Sequence, residues 1–170
     1  LVLVAQLKAL AQAVESYSEE IQRFFASMPA AKLAQTLPGG KSGTIVPMLW
    51  AELGDVKSRW QSFRHLQAEA GGVPVTKSSG KSHVVLFRNA CNKLMRYASY
   101  WLSFNSLNRC EWANKYYRDQ RAKGHHHPQA LRALAAKWLK IIFIMWRDDK
   151  PYDENYHLAN IARQTMRQAA

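Results

Sequence analysis

Ser78, Ser79 and Ser82 sit among lysines in the stretch KSSGKSHV, residues 77–84. A serine that attacks a phosphodiester needs an exposed hydroxyl, a small neighbour that lets the phosphate approach, and cations that neutralise the five-coordinate transition state. Ser79-Gly80 between Lys77 and Lys81 supplies those residue types. A polar loop between helices explains the same composition, so the pattern by itself leaves both readings open. The stretch also contains Gly-Lys-Ser, as does Gly40-Lys41-Ser42, but a phosphate-cradling loop carries another glycine five positions before its Gly-Lys. Gln35 and Val75 stand there instead. Nucleotide hydrolysis through these motifs is therefore excluded.

Two other clusters invite a metal reading, and neither sustains it. His125, His126 and His127 are consecutive and precede Pro128, and three adjacent side chains cannot converge on one ion without further ligands. Asp148, Asp149, Asp153 and Glu154 crowd one stretch after a helical segment, where turn and capping roles are ordinary. No metal ligand and no cofactor is assigned to this chain. Cys91 and Cys110 lack ligand spacing and read as buried, reduced thiols.

Location makes the net charge of +12 informative. Residues 1–37 and 141–170 are each neutral, whereas residues 75–140 carry thirteen Lys and Arg against Glu111 and Asp119, eleven of the twelve excess charges. That segment faces a polyanion, and Lys77, Lys81, Arg88, Lys93, Arg96, Arg118, Arg121, Lys123 and Arg132 are its candidate nucleic-acid contacts. Aromatic residues in the segment could stack on bases, but their helical spacing reads mostly as core. The longest apolar run, Ile141 to Trp146, is far too short to cross a bilayer, and no cleavable signal opens the chain. A cytoplasmic protein without a membrane partner is expected.

The elements that must position these residues read as helices. Leu3, Leu7, Leu10, Val14, Tyr17, Ile21 and Phe24 repeat at 4, 3, 4, 3, 4, 3, a coiled-coil-like seam over an arm of residues 1–28 that predicts self-association. The chain starts without methionine inside this pattern, as a fragment of a longer protein would. Around GGKSG (39–43), a helix ending near Leu37 and another from Thr44 to Leu53 resemble a helix-hairpin-helix, whose turn amides can face a phosphate. Further helices are predicted over Val56–Ala70, Val84–Ser103, Arg109–Arg121 and Ala130–Trp146. With no sustained strand alternation, an all-α fold follows: the arm, then a compact helical domain of residues 29–170 carrying the serine loop 75–83.

AELGDV, GGVPVTKSSGKSHVVLFRNACNKLMRYA, YYRDQRAKGHHHPQALRALAAKWLKIIFIMW and KPYDE, in that order, resemble the C-terminal domain of the DEDD-type insertion-sequence transposases. This is the "one-ten" family, which includes Piv-like DNA invertases and bridge-RNA-guided recombinases. The likeness runs from about Leu37 to His157. It implies an absent RuvC-like domain with four acidic ligands for a divalent metal, Mg2+, a coiled coil, and a serine nucleophile in the part seen here. The family's Ser-Gly falls on Ser79-Gly80, which makes Ser79 the implied nucleophile of a phosphoserine link, with Ser78 and Ser82 as competitors. Arg88, Lys93 and Arg96 fall in its basic helix and would bind DNA or guide RNA. The GGKSG turn departs from the family's proline-glycine-apolar-glycine. A nonenzymatic helical nucleic-acid-binding or assembly module is the rival reading.

Overall fold

The computed structural model describes residues 2–80 and 82–169. Helices dominate: α1 (Val2–Ala26), α2 (Ala31–Ala34), α3 (Ile45–Leu53), α4 (Phe63–Glu69), α5 (Lys93–Ser106), α6 (Glu111–Ala122), α7 (His127–Asp148) and α8 (Glu154–Ala169), with one antiparallel hairpin of β1 (Val75–Ser79) and β2 (Ser82–Leu86). The fold is all-α apart from that hairpin.

The domain is built around α7. Pro128 lies in its first turn, where the missing amide costs nothing, and Asp149 closes it in the left-handed conformation. Leu131, Leu134, Trp138, Leu139, Ile142, Met145 and Trp146 recur at helical spacing and are buried. Helices α4, α5 and α6 pack on α7, and α5 also packs on α3. Helix α5 offers small residues to this packing: Ser99, Ser103 and Ser106 are buried, each hydroxyl returned to a carbonyl of its own helix. Buried indoles find acceptors as well, Trp138 donating to Ser106 Oγ at 2.9 Å, Trp60 to the Leu53 carbonyl at 2.9 Å and Trp146 to the Gly54 carbonyl at 2.8 Å.

Three expectations need correction. Val84–Ser103 is not one helix. Val84, Val85 and Leu86 pair as a strand, and α5 starts only where the Asn92 side chain accepts from the Met95 amide at 3.0 Å. Val56–Ala70 is likewise broken into a 3-10 turn (Lys57–Arg59) and α4, which Ser62 caps. The glycine turn is no tight helical hairpin either: α2 is a single turn, and the amides of Gly40 and Ser42 already bond the carbonyls of Leu37 and Gly39. Those two donors are not aimed at a ligand.

The heptad seam of α1 is exposed throughout, and Phe25 is the one residue of that helix buried in the domain. Of the cysteines, Cys110 is buried as expected but Cys91 is only half-buried. Burial, reinforced by the Glu154 carboxylate, pushes the Cys110 thiol up to about 11. At pH 8 an alkylating reagent should therefore label Cys91 in the folded chain and Cys110 only after denaturation, as peptide mass spectrometry would record; equal labelling of both thiols would contradict this burial.

Candidate active site

The serine stretch forms the tip of the hairpin. Ser79 pairs with Ser82 and Val75 with Leu86, with Gly80 in the turn at the tip. Gly80 is left-handed, with φ 55°, the conformation that a two-residue hairpin loop demands and that glycine adopts without strain. A Cβ added there would meet nothing within 4 Å, so the space beside Ser79 is open. Ser78, Ser79 and Gly80 are exposed, as are Thr76, Val84 and Leu86. The hairpin thus projects from the helical body. Because side chains alternate along a strand, Ser78 and Ser79 point to opposite faces of the hairpin. Lys81 and the side chains of Lys77 and Ser82 lie outside the described residues.

The hairpin root is held by arginines. Arg88 Nε donates to the Val73 carbonyl at 3.1 Å, and Arg96 Nη2 donates to the Arg88 carbonyl. The Arg96 guanidinium lies 4.4 Å from the Phe87 ring centroid, with that of Arg132 at 5.0 Å. Arg96 presses so closely on Gly71 that a Cβ there would come within 2.5 Å of its Nη2. Arg88, Arg96 and Arg132, three of the predicted nucleic-acid contacts, are therefore drawn together here, half-buried, and given a structural task. Lys93 is exposed in the first turn of α5. Arg118, Arg121 and Lys123 are exposed at the end of α6, Arg121 donating to the His125 carbonyl at 2.8 Å.

The histidines and carboxylates behave as local structure. His127 Nδ1 and the Tyr117 hydroxyl lie 2.8 Å apart, and His126 stands at the N-terminus of α7. Asp148 pairs with Arg147, Asp149 with Lys57, and Asp153 caps the Tyr156 amide at 3.1 Å. Among the described residues no group of three or more His, Cys, Asp or Glu is placed to hold a metal ion, and no helix is long and apolar enough to cross a membrane.

Sequence reasoning missed Phe87, whose role depends on two arginines distant in sequence, and the exposure of Tyr97, Trp101 and Phe104 on α5. No local signal distinguishes these rings from the buried Trp112.

Residues 31–118, more than half of the chain, match the family described as "Transposase IS116/IS110/IS902 family". That span includes the hairpin. The chain is 28% identical over 158 residues to the mini-circle protein of Streptomyces coelicolor named as a transposase for IS117, covering 91% of this chain and 37% of the relative. It is 30% identical over 152 residues to a 43.6 kDa protein of insertion element IS110 from the same organism, with 89% and 37% covered. With a 44.8 kDa protein of insertion element IS116 from Streptomyces clavuligerus it shares 28% identity over 153 residues, with 87% and 37% covered. The chain thus spans 37% of the length of each of these relatives.

Proposed function

The chain belongs to the IS116/IS110/IS902 transposase family, and on that premise we propose that it is the C-terminal part of a DNA transposase in which Ser79 is the nucleophile. The observation that carries this is the position of Ser79, exposed at the tip of a projecting hairpin beside a left-handed glycine, within the span matched to the family. In the proposed step the Ser79 Oγ–P bond forms as the bond from phosphorus to one sugar oxygen breaks. The hydroxyl gives up its proton and the departing oxygen takes one up. Rejoining is the reverse, with a sugar hydroxyl of the recipient strand displacing Ser79, so the phosphodiester energy is kept in the phosphoserine and no cofactor of this chain is needed. Lys77 and Lys81 neutralise the crowded phosphate. The divalent metal, Mg2+, belongs to a RuvC-like domain outside this chain, and DNA, with a guide RNA, is the partner of the basic segment.

The test is covalent trapping on the full-length transposase. With a suicide DNA substrate whose cleaved end cannot rejoin, protein should remain linked to DNA on denaturing gels, and peptide mass spectrometry should place the adduct on Ser79. An adduct on Ser78 or Ser82 would reassign the nucleophile; no adduct in an active enzyme would remove covalent serine chemistry altogether.

Self-association through α1 is part of the same proposal. Its seam is exposed, and an apolar cleft of about 1250 Å³ opens between the end of α1 and α3, lined by Tyr17, Ile21, Phe24, Leu33 and Met48. A soluble chain seldom leaves so long an apolar stripe uncovered. Sedimentation should show a dimer or larger species that Leu10→Glu plus Val14→Glu dissociates, and a parent chain that is monomeric at every concentration would refute the idea.

A further inference from the structure

Helix α5 carries aromatic rings on the outside of the domain. Tyr97, Trp101 and Phe104, spaced by four and three residues, are 51%, 36% and 40% exposed, on one side of the helix. Tyr97 and Trp101 meet edge to face at 6.1 Å, Trp101 and Phe104 at 5.5 Å, so the rings are not stacked on one another. A fold does not gain by leaving such area in water.

At the hairpin end of this row lies a cavity of about 250 Å³, lined by Gly71, Lys93, Arg96, Tyr97, Tyr100 and Arg132 among others. Its described lining holds three cations and no carboxylate. Arg96 Nε is buried without a hydrogen-bond partner, an unusual state for a charged donor. The site therefore offers charge to an anion and ring faces to a planar group, side by side. Its volume is below the roughly 300–1,000 Å³ of a cleft that encloses a whole ligand, which suits a phosphate or part of a nucleotide whose remainder lies outside. Bases in a duplex are stacked internally and cannot reach a side-chain platform; unpaired bases can.

We propose that this cleft anchors an unpaired nucleic-acid strand, with a phosphate against Lys93, Arg96 and Arg132 and bases on the Tyr97–Trp101–Phe104 row. The proposal rests on the nucleic-acid reading above but not on the chemistry of Ser79. It places the unpaired strand at the root of the hairpin that carries the serine.

The experiment is anisotropy with labelled oligothymidylate, oligouridylate and a DNA duplex of equal length, on the chain described and at matched salt. The parent should bind a single strand more tightly than the duplex, and the DNA and RNA arms show which backbone is preferred. Tyr97→Ala plus Trp101→Ala should weaken single-strand binding by about tenfold or more while leaving the duplex unchanged; Tyr97→Phe plus Trp101→Phe should restore it. Arg132→Ala should flatten the single-strand salt slope by about 0.7. Equal losses on both substrates, or none on either, would overturn the inference, as would an alanine pair that alters sedimentation but not binding, which would mark the row as a protein interface. A parent that binds duplex alone defeats this inference and leaves the transposase reading intact. One that binds no nucleic acid defeats the nucleic-acid reading as well, whereas the fate of Ser79 is read separately by trapping.

Discussion

Ser79→Ala in the full-length transposase is expected to lower strand cleavage by about 10⁴-fold or more while leaving nucleic-acid affinity nearly unchanged. A nucleophile acts in the covalent step, and a neutral hydroxyl adds little to the binding of a phosphate. Ser78→Ala should retain most activity, because Ser78 lies on the other face of β1 from Ser79. Ser82→Ala is the closer control, since Ser82 is the cross-strand partner of Ser79; it too should remain active. Cleavage assays on the three variants, with duplex affinity measured alongside, separate the cases. An active Ser79→Ala enzyme would make the hairpin a structural or binding element, and equal losses in all three would point to damage to the hairpin.

Trp138→Ala should cost about 3–5 kcal/mol of folding stability, a large share of the roughly 5–15 kcal/mol that holds a domain together. Trp138 is fully buried, lies 4.8 Å from the Trp112 ring and 5.3 Å from that of Tyr152, and donates to Ser106. Truncation opens a cavity at the contact of α5, α6 and α7, and takes the indole donor from Ser106. Ile144→Ala, on the exposed side of the same helix, should stay within about 1 kcal/mol, in keeping with the small effects of surface changes. Urea unfolding of the two variants checks the difference. A Trp138→Ala chain with the parent's midpoint would mean that α7 is not the centre of the core.

Much of the helical body is legible in the residues alone. The 4, 3 spacing of apolar side chains predicts α1, and the period through Leu131, Leu134, Trp138, Ile142 and Met145, after Pro128, predicts α7 within a few residues. Arg109–Arg121 anticipates α6 closely. The hairpin escapes the same reading because Lys77, Ser78 and Ser79 lie opposite Val84, His83 and Ser82. Neither strand shows sustained apolar alternation, and what makes them strands is each other.

The site divides the same way. Ser79-Gly80 and the concentration of cations in residues 75–140 stand in the sequence, but the separate tasks of those cations do not. Arg88 and Arg96 are spaced like any surface cations, yet one holds the Val73 carbonyl and the other lies over Phe87. Lys93, Arg118 and Lys123 stay in solvent. Trp101 and Trp112 have equal claim to the core by composition, and only the packing of α5 and α6 leaves the first outside and the second within. The sequence by itself determined the family, the charge and the helices α1, α6 and α7, because a helix closes its hydrogen bonds four residues away and shows its buried face at a fixed period. The tertiary structure alone decided that the serine stretch is a projecting hairpin, which arginines brace it and which aromatics face water, because strand pairing and side-chain contacts join residues whose spacing along the chain carries no period to read.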